Sequence, residues 1–225
     1  MRLFRYGLGL CPAAVGIFCL TLPVQAEMYV AGQMGVNIPQ SLSNVQYSPG
    51  GSTVGGNDLS LQHSLIYGAK VGYYFDKLKW YKFNLGIETE VFNSQPNIKP
   101  HNLSIGGFNF GTQPGGEFRV LNWAPLNLVV RYQAGAFEPY AGVGFGVFYS
   151  HASSSGFSSS GTDVGLNTQL GLRYRVTNKV SVFGEWKFNH ATINHNSFAG
   201  SGLFGLNVSA DYNANILAFG VGYHF

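Results

Sequence analysis

The segment FNLGIETEVF, Phe83 to Phe92, alternates without a break. Phe83, Leu85, Ile87, Thr89 and Val91 fall on one side of an extended chain, and Asn84, Gly86, Glu88, Glu90 and Phe92 on the other. A β-strand sends successive side chains to opposite faces, so one face here is apolar and the other carries two carboxylates. The period of two, rather than 3.6, argues a half-buried strand.

The same division recurs seven more times. Met28, Val30, Met34 and Val36 oppose Tyr29, Gln33 and Asn37; Leu65, Tyr67, Ala69 and Val71 oppose Ser64, Gly68 and Lys70. Leu126, Leu128 and Val130 oppose Asn127 and Arg131; Val143, Phe145 and Val147 oppose Gly142, Gly144 and Gly146. Leu170, Leu172 and Tyr174 oppose Gln169, Arg173 and Arg175; Val182, Trp186 and Phe188 oppose Ser181, Glu185 and Lys187. The last is Leu217, Phe219, Val221, Tyr223 and Phe225 against Ala218, Gly220, Gly222 and His224. No charge falls on any apolar face.

A soluble sandwich also alternates, so three further features decide. The polar faces are rich in glycine, which suits a narrow closed interior. The apolar faces end in aromatics: Tyr73, Phe75, Tyr132, Tyr174, Tyr223 and Phe225 at one end, Tyr149, Trp186 and Phe188 at the other. Connections alternate in length, with short turns near 76–80, 133–138 and 177–179 and long loops near 38–60, 93–117, 150–163 and 190–211. Aromatic girdles, short turns on one side and long loops on the other are the plan of a transmembrane β-barrel. The expected fold is all-β, an eight-stranded antiparallel up-and-down barrel.

Composition agrees. Only 10% of the 225 residues are charged, 15% are aromatic and 31 are glycine. The apolar fraction of 45% argues against disorder.

Residues 1–26 read as a signal peptide: Arg2 and Arg5 precede the apolar stretch Leu8–Leu22, and Val24-Gln25-Ala26 offers small residues for cleavage. The barrel domain is then 27–225, exported by the Sec route to a bacterial outer membrane. Both cysteines, Cys11 and Cys19, lie in the leader, so no disulfide or thiol chemistry is expected of the domain. Without the leader, 11 basic residues face 10 acidic ones, a balance that gives no reason to expect nucleic acid.

The chain resembles the OmpA/OmpX-like small outer-membrane β-barrel domain family. The residues that carry the likeness are Met28-Tyr29-Val30-Ala31-Gly32, Leu85-Gly86-Ile87-Glu88 with Glu90, and Pro139-Tyr140-Ala141-Gly142 running into Gly144. Phe183-Gly184-Glu185-Trp186-Lys187-Phe188 and the closing Gly220-Val221-Gly222-Tyr223-His224-Phe225 complete it. The resemblance implies that Phe219, Val221, Tyr223 and Phe225 form the terminal signal read by the barrel-assembly machinery. It also implies lipid and lipopolysaccharide as the surroundings.

The inward charges are Lys70, Glu88, Glu90, Arg131, Arg173, Arg175, Glu185 and Lys187. In so narrow a barrel they must pair to offset desolvation. Neighbouring strands suggest Glu88 and Glu90 with Arg131, and Glu185 with Arg173 and Arg175, leaving two surplus positive charges for partners such as Asn127 and Gln169. Phe108, Phe110 and Phe204 are candidate contact residues of the loops. No metal-ligand spacing appears. Gly142-Val143-Gly144-Phe145-Gly146 sits on a strand with no helix following, so it is not a nucleotide loop. No cofactor and no catalysis are expected; His190-Ala191-Thr192 resembles the His/Ser pair of lipid A deacylases only faintly, with threonine in place of serine. The leading expectation is a non-enzymatic barrel with a plugged polar lumen, supporting the envelope or binding an unidentified extracellular ligand through four long external loops. The alternatives are a narrow conduit for small apolar molecules, as in OmpW-like barrels, and a lipid A-modifying hydrolase.

Overall fold

The computed structural model describes residues 26–48, 52–154, 157–200 and 203–225. The signal-peptide reading of 1–26 falls almost wholly outside the described residues. In chain order the strands are β1 (Ala26–Pro39), β2 (Ser43–Ser48), β3 (Val54–Gly55), β4 (Ser64–Trp80), β5 (Phe83–Ser94) and β6 (His101–Ile105). They continue as β7 (Phe108–Gln113), β8 (Glu117–Tyr132), β9 (Phe137–Ser154), β10 (Phe157–Arg175), β11 (Val180–Gly200) and β12 (Leu203–His224).

Eight of these form the wall, in the order β1-β4-β5-β8-β9-β10-β11-β12, and β1 pairs back onto β12. That last pairing is antiparallel and runs from Tyr29 opposite His224 to Pro39 opposite Ala214. The sheet is therefore a closed ring without a free edge at this level. The outward faces are those the alternation selects: Met34, Leu65, Leu128, Leu170 and Phe219 are exposed, while Tyr29, Lys70, Glu88, Arg131 and Glu185 are buried inside.

A switch of parity interrupts the wall on β8. On β8, Phe118, Val120, Asn122 and Ala124 point inward, and then Asn127, Val129 and Arg131 do. The pairing with β9 slips between Trp123 and Leu126, and the pairing with β5 slips between Glu88 and Glu90. Pro125 lies in this bulge. It has no N–H to give to a ladder, so a bulge is where a strand tolerates it.

The connections differ from the sequence reading at several points. β4 runs through the expected turn 76–80, and the turn is Tyr81–Lys82, between the paired Trp80 and Phe83. The expected third and fourth long loops are strand: β9 and β10 pair as far as Ser154 opposite Phe157, and β11 and β12 pair as far as Gly200 opposite Leu203. Serine, histidine and asparagine on the outward positions disguise the alternation there. The first two loops hold short strands of their own, β2–β3 and β6–β7.

These extensions make a second storey. β2 follows β1 along β12, Leu42 bridges Leu59, Leu61 bridges Ile98, and Ile98 bridges Gly116 just before β8. Within this storey most of the buried residues are apolar, among them Leu42, Val45, Tyr47, Leu61, Phe118, Val120, Phe148, Ala191, Ile193 and Tyr212, with Ser150, Ser159 and His195 buried beside them. The loop end of the barrel is thus stoppered by a hydrophobic cluster.

The lipid-facing wall predicts a dependence on depth. Leu128→Arg, in the middle of an outward face, should cost about 2–4 kcal/mol, and Thr162→Arg, paired with the girdle residue Tyr149, about 0–1 kcal/mol. Urea titration of refolded variants in detergent or lipid checks this; equal costs would contradict the placement of the wall.

Candidate functional site

The chemistry-bearing residues converge in the lumen. Small residues on the inward face leave room for large neighbours. A Cβ on Gly72 would come within 2.3 Å of the Tyr29 ring, one on Gly171 within 2.3 Å of the Tyr140 ring, and one on Gly220 within 2.3 Å of the Phe183 ring. Glycine on one strand is therefore the condition for an aromatic or charged side chain on the next.

The lumen is layered. At the turn end, Arg131 reaches Glu27 at 2.5 Å and Glu138 at 3.3 Å. Arg175 bonds Glu138 at 2.8 Å and also pairs with Glu27. His224 Nδ1 meets Glu27 at 2.7 Å, and its Nε2 meets Ser181 Oγ at 2.8 Å. Arg173 lies 3.8 Å from Glu138 and rests its guanidinium on the Tyr29 ring at 4.3 Å, with Tyr140 at 5.3 Å. Such cation–π contacts strengthen once water is excluded.

Above this, Lys70 Nζ donates to both Glu185 oxygens at 2.6 and 2.7 Å and lies 3.5 Å from Glu88. Tyr140 donates to Glu185 at 3.0 Å, Tyr29 donates to Glu88, and Gln169 Nε2 donates to Glu88 at 2.9 Å. Lys187 pairs with Glu90 and stands 3.3 Å from Glu185, while Gln33 Nε2 donates to Glu90 at 2.5 Å. Next come amides: Asn122 bonds Asn167 at 3.1 Å, Asn37 donates to Tyr212 at 2.9 Å, and Asn189 donates to Asn167. A void of about 10 Å³ lies among Glu90, Lys187, Asn167 and Gln169. It has room for about one water.

All eight charged residues read from the sequence face this interior, seven of them buried and Arg175 half-buried. Their partners are not those expected. Glu185 pairs with Lys70 and Lys187 rather than Arg173 or Arg175, and Glu88 and Glu90 pair with Lys70 and Lys187 rather than Arg131. Lys70–Glu185 and Lys187–Glu90 cross the lumen, while Lys70–Glu88 joins neighbouring strands and Lys187–Glu185 lies within β11, because long side chains in a narrow tube meet those on the far wall as readily as those next door. Two carboxylates were also missed. Glu27 adjoins the expected cleavage point, and Glu138 was placed in a turn. With them, Lys70, Arg131, Arg173, Arg175 and Lys187 face Glu27, Glu88, Glu90, Glu138 and Glu185, and the expected positive surplus vanishes.

Of the candidate loop contacts, Phe108 and Phe110 are exposed on β7. Phe204 falls on β12, with its side chain outside the described residues. Phe219, Val221, Tyr223 and Phe225 line the outer face of β12 and are all exposed.

In the second storey, Ser150 and His195 were not singled out from sequence as a pair. Their side chains meet at 3.1 Å on the inner face, across β10 at Gly161. Burial pushes the His195 pKa below its ordinary value; Asp163 opposes the shift, His151 adds to it, and a backbone hydrogen bond with Ser159 opposes it. His195 also borders the apolar stopper beside Ile193, Val208 and Ala210.

The chain matches the family described as outer membrane protein beta-barrel domain over residues 13–225. It belongs to that family. No curated protein matches it at the sequence level. Among solved structures, it is similar to the outer membrane protein OprG from Pseudomonas aeruginosa, with a TM-score of 0.56, 17% identity, and coverage of 88% of this chain and 95% of that one. It is also similar to the outer membrane protein AlkL in lipid bilayers, with a TM-score of 0.50, 16% identity, and coverage of 88% and 90%. At such identities the likeness is one of fold.

Two predictions follow from the interior. Glu185→Ala leaves buried Lys70 without its nearest carboxylate and should cost about 3–5 kcal/mol, much of it recovered by adding Lys70→Met. A double-mutant cycle on unfolding free energy should show strong Lys70–Glu185 coupling and little for Arg173–Glu185; the reverse would contradict the pairing described. For His195, the folded state holds fewer protons than the unfolded one below the ordinary histidine value of ~6.5. Its contribution is therefore complete above that value and is lost as the pH falls toward the lowered folded pKa. The opening equilibrium of β11 beyond Ala191, read as hydrogen exchange after division by the intrinsic base-catalysed rate at each pH, should rise on acidification, and His195→Phe should remove the effect.

Proposed function

We propose that this outer-membrane protein is a closed, non-enzymatic barrel that reinforces the membrane and offers its extracellular second storey as a binding surface. One observation carries the reading: a charge-balanced, hydrogen-bonded interior sits beneath an apolar stopper, so two chemically different seals lie in series. An ion entering from the turn end meets charges already paired, and a polar solute entering from the loop end meets Leu42, Phe118 and Phe148.

Lipid and lipopolysaccharide are its surroundings. The exposed apolar file Phe219, Val221, Tyr223 and Phe225 fits recognition by the assembly machinery after Sec export. Phe108 and Phe110 belong to a separate two-stranded sheet rather than to the wall, which fits a contact role for the β6–β7 hairpin.

Planar-bilayer recording tests the reading. The purified chain should show no steady conductance, and liposomes containing it should not swell in sugar solutions. Replacing residues 42–61 by a short linker removes much of the stopper and should still leave the barrel closed, because the polar layers remain. A steady ohmic current from the parent chain would overturn the proposal. Entry of a small apolar solute into such liposomes would favour a conduit, and release of fatty acid from lipid A by the purified protein would make it a hydrolase.

A further inference from the structure

The β4–β5 turn is built unlike the other short turns. The β4–β5 register slips between Tyr74 and Lys79 and resumes with Lys79 opposite Asn84 and Trp80 opposite Phe83. The extra residues carry the strand past the girdle, where 76–82 are all exposed. Leu78, Trp80 and Tyr81 are apolar or aromatic, and Trp80 and Tyr81 are 79% and 77% exposed. Lys77, Lys79 and Lys82 alternate with them.

Three observations show that this segment is held in place. Trp80 stacks on Phe83 with centroids 6.2 Å apart, and Phe83 packs on the girdle residue Tyr132 at 5.0 Å. The Lys82 ammonium stands 5.9 Å from the Tyr132 ring and 5.9 Å from the Tyr81 ring. Tyr81 takes φ 56°, a left-handed conformation that a bulky residue adopts at a cost. An exposed tyrosine does not recover that cost by packing within the chain. Trp80 thus extends the girdle stack through Phe83, and the Lys82 ammonium lies beside it.

Charge outside the lumen is also unevenly distributed. Among the described residues, the turn end carries Lys77, Lys79, Lys82 and Lys179 against Asp76. At the loop end, Lys99 and Arg119 face Asp58, Glu117, Asp163 and Asp211. In outer-membrane barrels the short turns lie on the periplasmic side. There the membrane surface is phospholipid, whose phosphates lie within reach of lysines and whose interface suits Trp and Tyr.

We infer that the β4–β5 turn is a binding site for anionic phospholipid headgroups of the periplasmic leaflet, with Lys77, Lys79 and Lys82 meeting the phosphates and Trp80 and Tyr81 seated at the interface. The inference rests on the membrane orientation and not on whether the lumen conducts. Phospholipid fits better than a cell-wall polymer because cations and exposed aromatics alternate along one hairpin docked on the girdle. A polymer in water would need only the cations.

The test uses Trp80 as the reporter. The full chain with Trp123→Phe and Trp186→Phe, which leaves Trp80 alone of its three tryptophans, is refolded into nanodiscs of mixed phosphatidylcholine and phosphatidylglycerol. Bromines are placed on the acyl chains of one lipid or the other. Brominated phosphatidylglycerol should quench Trp80 more per molecule, reflecting local enrichment of roughly tenfold, and high salt should weaken the preference. K77Q/K79Q/K82Q should bring the two lipids level with the barrel still folded by circular dichroism, whereas Lys99→Gln at the loop end should change nothing. Equal quenching by the two lipids in the unsubstituted hairpin overturns the inference. So does lysine-dependent binding of soluble peptidoglycan fragments without any lipid preference, which would give the patch to the cell wall.

Discussion

The pairing of β1 with β12 is the constraint from which the rest of this structure follows. In hydrocarbon an unpaired backbone N–H or C=O has no water to turn to and costs several kcal/mol, so a membrane sheet must close. Closing eight strands fixes a tube just wide enough for side chains. Its outer face meets lipid and must be apolar, and the polar residues are left with the inside. The glycines opposite Tyr29, Tyr140 and Phe183 are a steric consequence of that small bore.

A polar interior in so narrow a space is expensive unless every charge finds its opposite. Removing a carboxylate or an ammonium from water costs several kcal/mol, which the pair returns only with short contacts and further hydrogen bonds. The centre of the lumen meets both conditions: Glu185 takes bonds from Lys70 and Tyr140, and Glu88 from Tyr29 and Gln169, while Arg173 lies against the rings of Tyr29 and Tyr140. These bonds cross the tube. Lys70 on β4 holds Glu185 on β11, Lys187 on β11 holds Glu90 on β5, and Arg131 on β8 holds Glu27 on β1. They tie strands that the backbone ladder does not pair, and so resist flattening of the barrel. The same arrangement explains why the interior fills itself rather than leaving a bore.

Much of this was legible in the sequence because membrane strands obey a period of two on both faces. The eight strands, the apolar outer face and the eight inward charges all follow from it. The pairing of charges does not, since it depends on which side chains meet across the tube, and alternation along a strand carries no such information. Glu27 and Glu138 were missed because they occupy strand ends, where few residues remain to establish a phase. The bulge at Pro125 was hidden for a related reason: the phase on either side of it is regular, and only the relation between the two halves changes. Ser150 and His195 were lost when residues 150–163 and 190–211 were read as loops.

That misreading has a physical cause that also locates the membrane. Within the bilayer, β11 turns Val182 and Trp186 outward and Glu185 and Lys187 inward. Farther along the same strand, Thr192 and Asn194 point outward, while Ala191 and Ile193 are buried. The hydrophobic order has inverted with no change in the backbone. Lipid offers apolar side chains no reason to leave the surface, whereas water does, because burying apolar area is favourable only against water. The inversion therefore marks where the outer face of the wall passes from lipid into water, between Phe188 and Ala191 on β11. On β9 the outward side chains likewise pass from Val147 and Tyr149 to His151, with Phe148 and Ala152 buried. A single rule about which face is apolar fails across such a boundary. Applied separately on each side, it accounts for both seals: paired charges where the wall is surrounded by lipid, and a hydrophobic core where it is surrounded by water.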